Sequence, residues 1–294
     1  MEPADDVQVN IPAPNMRKPV LQDAAFLSDV KASARDDGRF RLWWLGQSGF
    51  LLAWKSSFAL LDPYLSDSLT KKYAGTDKPH VRITERVVDP AALDFIDVTT
   101  SSHGHTDHQD PETLCALACA NPAMPLVLPA ATVALCCERT GLPKSRLIPI
   151  DEGLTLEIGP FAITAVASAH ETLEYDEMGA CKYLGYVLRF GGWTIYHSGD
   201  TVDYPGLAEN AGRFKVDVAL LPINGRGRGV PGNLGAVEAA HLAARMGARL
   251  AVPCHYDMFE FNTGDPSEFA RASAACRQPY IILKVGARYE SPNR

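Results

Sequence analysis

An α+β protein, built from two mixed sheets packed face to face with helices on the outside, is the fold class this chain predicts. Three observations carry the prediction. Apolar runs of strand length outnumber helical patterns, and the helical patterns fall between groups of strands without a strict βαβ alternation. The length of 294 residues and a 46% hydrophobic content suffice for one large core.

Residues 1 to about 20 are polar and carry Pro3, Pro12, Pro14 and Pro19, the pattern of an extended arm. Leu21, Ala24, Ala25, Phe26, Val30 and Ala34 then recur at helical spacing up to Gly38. From Phe40 the period changes. FRLWWLG, GFLLAW and SFALLDPYL are strand-length runs broken by Gly46, Gly49 and the Lys55-Ser56-Ser57 turn, which predicts an antiparallel meander. The polar stretch from Tyr64 to about Val88, with Lys71 and Lys72, reads as a long surface loop of the kind that serves as a lid or binding segment. ALDFIDVTTSS predicts a short helix and a buried strand ending at Ser101 or Ser102. PETLCALACA is helical, with Pro111 suited to a first turn; LVLP is a strand; ATVALCCERTG is a helix closed by Gly141. SRLIPI, LTLEI and FAITAVAS follow as strands. In the second half LGYVLRF, WTIYHS and VDVALLPI are strands, and LGAVEAAHLAARMG is a helix capped by Asn233 and closed by Gly247. ARLAVP is a strand, PSEFARASAAC a helix and YIILKV a final strand. No short repeat or low-complexity linker interrupts this order, so the chain divides into an N-terminal arm and helix (1–38) and one domain (39–294).

Charge and composition exclude several functions. Twenty-eight Lys and Arg against 35 Asp and Glu leave a net charge of −7, so no overall positive field draws nucleic acid or an anionic membrane. The opening segment lacks a basic and then apolar leader pattern, and no stretch approaches the roughly 20 apolar residues of a membrane span. The seven Cys are scattered without a CxxC pair and read as reduced thiols. A soluble, cytoplasmic protein is expected, with a small anionic molecule as partner, captured locally, and with further copies of the chain as the other expected partner.

The decisive segment is Ser101-Ser102-His103-Gly104-His105-Thr106-Asp107-His108, an HxHxDH pattern directly after a predicted buried strand. Chance supplies such a pattern in roughly one chain of this kind in several thousand. A lone His at a strand end is usually a capping residue; three with an Asp inside six residues point to a metal. Imidazole and carboxylate together suit Zn²⁺, Mn²⁺ or Fe²⁺ and not Ca²⁺. His170, Asp200 and His255 lie in the same context, each where an apolar strand runs into a small or polar loop. Seven ligands divide between two divalent metal ions: His103, His105 and His170 on the first, Asp107, His108 and His255 on the second, with Asp200 bridging.

At these residues the chain resembles the metallo-β-lactamase-fold hydrolases over roughly residues 39 to 290, and most nearly the ascorbate-6-phosphate lactonase branch. The resemblance rests on FRLWWLGQSGFLL, LLDPY, HGHTDH, YHSGD, LLPINGRGRG and VPCHYDMF. It implies an αββα sandwich, the dinuclear site above and hydrolysis. His170 departs from the lactonase branch and matches other branches.

Water bound by such metals ionises near pH 7, so the expected reaction is hydroxide attack on an ester-like centre. Asp107 and Asp200 would take part in catalysis, Asp107 by orienting the hydroxide or as a ligand alone. Asp62, at the end of SFALLD, reads as an acceptor that fixes a ligand His, the alternative being a turn former before Pro63. His197 reads either as a contact of ligands or substrate or as a residue of the sheet interface. Asn224, Arg226 and Arg228, in NGRGRG, would bind an anionic group such as a sugar phosphate, with Tyr256 beside them; the bland reading is a solvated Arg-Gly loop. Tyr204, Lys71 and Lys72 are further candidates for the entrance. His80, His241 and Cys254 read as packing or surface residues. The leading expectation is a metal-dependent lactonase acting on a small, phosphorylated sugar acid; the alternatives are a phosphodiesterase using the same site, and a non-catalytic metal or nucleic-acid binding module.

Overall fold

A computed structural model describes residues 16–226, 230 and 232–294. The first sheet begins with the predicted meander, β1 (Phe40–Gly46), β2 (Gly49–Trp54) and β3 (Ser57–Leu61), all antiparallel. It continues in parallel through β4 (Val98–Thr100), β5 (Leu126–Pro129) and β6 (Leu147–Ile150). The second sheet takes β7 (Thr155–Ile158), β8 (Phe161–Ala167), β9 (Leu184–Phe190) and β10 (Trp193–His197) as antiparallel neighbours, then β11 (Val218–Pro222) and β12 (Leu250–Cys254) in parallel. A last strand, β13 (Arg288–Glu290), returns to pair with β1. The orders are β13-β1-β2-β3-β4-β5-β6 and β12-β11-β10-β9-β8-β7. β1 and β2 are buried along their whole length, as strands covered on both faces must be.

Helices cover the outside. α1 (Asp23–Ser33) sends Phe26 and Val30 into the core that both sheets share, with Phe26 edge-on to Trp43 at 6.3 Å. α2 (Ser68–Lys72) is short. α3 (Pro111–Ala120) starts at Pro111 as expected, capped by Asp110, and α4 (Val133–Thr140) ends at Gly141 with φ +67°. α5 (Leu207–Gly212), α6 (Ala236–Arg245) and α7 (Pro266–Ala275) lie over the second sheet's half of the core. Among the described residues no helix is long and apolar enough to cross a membrane.

Three sequence expectations change. The 64–88 stretch is not a loose surface loop: it carries α2 and buries Tyr64, Leu65, Leu69, His80 and Arg82. Arg82 pins it, its guanidinium stacked on Tyr64 and Phe259 and ion-paired to Asp67 at 2.6 Å. YIILKV forms no strand beyond a single bridge between Tyr280 and Ala251, because its carbonyls are taken elsewhere: Leu283 O accepts from the Tyr256 hydroxyl and Val285 O from the Val20 amide. Asn233 does not cap α6, whose first turn is closed by Glu238 reaching back to the Gly235 amide at 2.9 Å.

Candidate metal centre

Each candidate side chain leaves the end of a strand. The 103–108 loop follows β4, His170 follows β8, Asp200 follows β10 and His255 follows β12, so both sheets deliver donors to one edge of the sandwich. Two donor sets form there, His103 with His108 and Asp200, and Asp107 with His108 and His255, each with its ligand atoms within 4.8 Å of one another. His105 and His170 complete the cluster beside His103, with ring centroids 4.5 Å (His103 to His105), 4.7 Å (His105 to His170) and 5.9 Å (His103 to His170) apart. His103, His108 and His255 are wholly buried, whereas His105 and His170 face a cavity of about 430 Å³.

The hydrogen bonding suits cations. Asp62 accepts from His108 Nδ1 at 2.7 Å and from the Ser102 amide at 3.0 Å, so His108 presents Nε2 to the centre. Ser102 Oγ does the same for His103, 3.0 Å from its Nδ1. The atoms left pointing inward, Nε2 of His103, His108 and His255 and Oδ1 of Asp200, are buried without hydrogen-bond partners. They are close, His108 Nε2 lying 3.3 Å from Asp200 Oδ1 and His255 Nε2 3.4 Å from Asp107 Oδ2, yet misaligned for bonding one another. Folded interiors leave few such atoms, and donors converging on shared points are what divalent ions require.

Without cations the cluster balances its charge with protons. Burial alone would depress both His108 and His255, but the carboxylates of Asp200 and Asp107 outweigh it: His108 is raised well above the usual imidazole value and His255 to about 9. Burial drives His103 the other way, reinforced by the charge of His108. The consequence is testable. Ligation needs neutral imidazoles, so loading the metal-free protein at pH 7 should release protons, and affinity should rise about tenfold per pH unit for each proton displaced, up to about pH 9. Calorimetry in buffers of different ionisation enthalpy, with chelator competition at pH 6 to 8, checks it; a pH-independent affinity would contradict it.

The remaining sequence candidates divide. Asn224 lines the cavity, its amide donating to Asn262 Oδ1 at 2.7 Å. Arg226 does not: Glu238 at the start of α6 takes its guanidinium, and it borders a different groove. Arg228 lies outside the described residues. Tyr256 is a correction, because its ring is buried 4.3 Å from Trp44 and its hydroxyl is spent on Leu283 O. Of the two readings of His197 the geometry favours the sheet interface, its Nε2 donating to Ser48 O at 2.8 Å, over contact with a ligand or substrate. Tyr204 binds Ala167 O, Lys71 pairs with Glu112, His241 is exposed and Cys254 is in the core. His80 packs among Tyr73, Phe259 and Phe261 and borders the cavity.

Sequence reasoning missed Tyr183, whose ring stacks on His170 at 5.5 Å, and the amides of Gln47 and Asn233, 3.1 Å from Asp107 Oδ2 and 2.8 Å from Asp200 Oδ2. Tyr183 resembles any aromatic residue before a strand. Gln47 sits beside Ser48 in the Gly46 to Gly49 turn, where a polar residue reads as a turn former.

Two face-to-face mixed sheets with outer helices and a His/Asp cluster at their shared edge define a protein of the metallo-β-lactamase fold. The model of the beta-lactamase superfamily domain matches residues 59–256, and the chain belongs to that superfamily. It is similar to the probable L-ascorbate-6-phosphate lactonase UlaG of Escherichia coli, at 26% identity over 261 residues, covering 79% of this chain and 73% of that one. Among solved structures it is similar to an isothiocyanate hydrolase from Delia radicum gut bacteria (TM-score 0.66, 18% identity, covering 85% of this chain and 98% of that one). It is also similar to the metallo-beta-lactamase fold protein YhfI from Bacillus subtilis (TM-score 0.62, 18% identity, covering 86% and 100%).

Proposed function

We propose that this chain is a metal-dependent hydrolase that opens the lactone of a small, phosphorylated sugar acid. One observation carries the reading: two donor sets sharing His108 open through Asp107 and Asp200 onto a cavity of about 430 Å³, near the lower end of the range for small-molecule sites. His103, His105 and His170 would hold one divalent cation and Asp107, His108 and His255 the other, with Asp200 between them; the donors suit Zn²⁺, Mn²⁺ or Fe²⁺. Such a pair supplies hydroxide at neutral pH and an electrophile for the attacked oxygen. The walls would orient the substrate. Asn224 and Asn262 offer a short row of amides to sugar hydroxyls. Lys72 and Lys78 stand on the α2 side of the rim and Glu171 elsewhere on it, so the anionic end belongs near α2. Lys72 takes the place that Arg226 does not fill: among the described residues no carboxylate ion-pairs with it, and its ammonium lies 3.0 Å from Thr106 Oγ1, inside the histidine motif.

Steady-state assays on a phosphorylated sugar lactone, its unphosphorylated counterpart and bis(p-nitrophenyl) phosphate test this. The lactones should turn over, and Lys72→Ala should raise KM roughly 10- to 100-fold for the phosphorylated one only, the value of about 1.5–3 kcal/mol for a charge-assisted hydrogen bond. Efficient phosphodiester turnover with both lactones inert would replace this reading by a phosphodiesterase. The UlaG relative supports the lactone; the amide row and Lys72 support the sugar and its charge.

A further inference from the structure

We infer that Gln47 and Asn233, two turn residues outside the histidine motif, are positioning residues that set the two ligand carboxylates, each through one neutral amide donor. Gln47 Nε2 donates to Asp107 Oδ2 at 3.1 Å, and Asn233 Nδ2 donates to Asp200 Oδ2 at 2.8 Å. Both residues are at least 97% buried, and both have left-handed backbone, with φ +46° and +64°. Neither is free to reorient. The carbonyl of Gln47 accepts from Trp44 Nε1 at 2.9 Å and from the His255 amide at 3.0 Å. The Asn233 amide donates to His170 O at 3.2 Å, and the neighbouring Gly232 lies so close to His170 that a Cβ there would sit 2.6 Å from Nδ1.

Each turn therefore braces two ligands at once. Gln47, in the first sheet's hairpin, joins Asp107 to His255, which arrives from the second sheet; Asn233 joins Asp200 to His170. An amide is suited to this task. On Asp200 it occupies Oδ2 and leaves Oδ1 facing His108 without a hydrogen-bond partner; on Asp107 it holds Oδ2, the oxygen that also lies 3.4 Å from His255 Nε2. A Lys or Arg in the same place would neutralise the carboxylate and repel a cation, whereas an amide leaves the full negative charge available. The inference rests on Asp107 and Asp200 being cation ligands and not on the identity of the substrate.

Gln47→Gly and Asn233→Gly test it, because glycine accepts the left-handed backbone while removing the side chain that carries the amide, at Asn233 together with its bond to Asn224. Mn²⁺ and Zn²⁺ affinities, measured against a chromophoric chelator, should each fall roughly 10- to 100-fold, the usual cost of losing a partner behind a ligand. The visible spectrum of the Co²⁺-loaded protein should shift, while the melting temperature of the metal-free protein stays near that of the parent. Parental affinity in both variants would overturn the inference, and so would a loss of affinity that merely tracks a lower metal-free melting temperature. Asp200→Ala, run alongside, separates this from the reading beneath it: loss of metal there with unchanged affinity in both glycine variants removes the braces and leaves the ligands standing.

Discussion

Asp200→Ala should reduce turnover to background and, on the two-metal reading proposed above, lower the bound metal from two ions per chain to one or none. Asp200 shares a donor set with His103 and His108, its Oδ1 3.3 Å from His108 Nε2, and its Oδ2 lies 3.6 Å from His255 Nε2 in the other set. Its removal costs more than a ligand. His108 and His255 lose the charge that offsets their burial, so Asp107 alone must serve both imidazoles, and an anion that would separate two dications disappears. Asp200→Asn keeps the shape and removes the charge, and should fail nearly as badly if charge is what matters. Elemental analysis of the purified variants with single-turnover assays reads both effects. Parental turnover with one metal missing would rule out a two-metal mechanism.

Asp62→Ala should have the second largest effect, although Asp62 touches no predicted substrate. It is fully buried and accepts from the Ser102 amide, Thr100 Oγ1 at 3.1 Å and His108 Nδ1. Alanine takes their shared acceptor from three buried donors, leaving His108 Nδ1 only Ser102 Oγ at 3.2 Å, and breaking a buried charged pair costs about 3–5 kcal/mol. Metal affinity should fall by roughly 10- to 100-fold as well, because His108 is then free to turn its lone pair away from the centre. Asp62→Asn is the sharper probe. All its partners are donors, so an amide must set NH₂ against one of them, and it should not rescue the alanine variant. Thermal unfolding and chelator competition on both variants check this; affinity restored by Asn would show that Asp62 acts only by filling space.

These two carboxylates mark how far the sequence could be read. HxHxDH, His170, Asp200 and His255 are legible because ligation demands specific residue types, and an apolar strand running into a polar loop says where they emerge. Asp62 is legible for the same reason. Recognition residues are not, because their roles are decided by which neighbour takes them first. Arg226 looked like an anion receptor until α6 supplied Glu238, and Tyr256 until its hydroxyl was drawn to Leu283 O. Gln47 and Asn233 carry no type-specific signature; an amide in a turn usually serves the turn itself, and only the fold shows that these two reach carboxylates. The 64–88 stretch misled because it is polar on average, while the few residues that anchor it, Tyr64, Leu69 and Arg82, are spread too thinly to mark a helix or strand.

The placement of the donors also dictates when the protein can acquire its metals. They are spread along the chain from His103 to His255 and come from strands of both sheets, so no continuous segment contains either complete set. Four candidate donors lie together in 103–108, but neither set is complete until the fold brings Asp200 and His255 to them. The second sheet must reach β12 before His255 arrives, and β12 is the last strand to enter it. Each set is therefore assembled by the fold and not by the local sequence. An ion that needs a complete set must meet the folded chain.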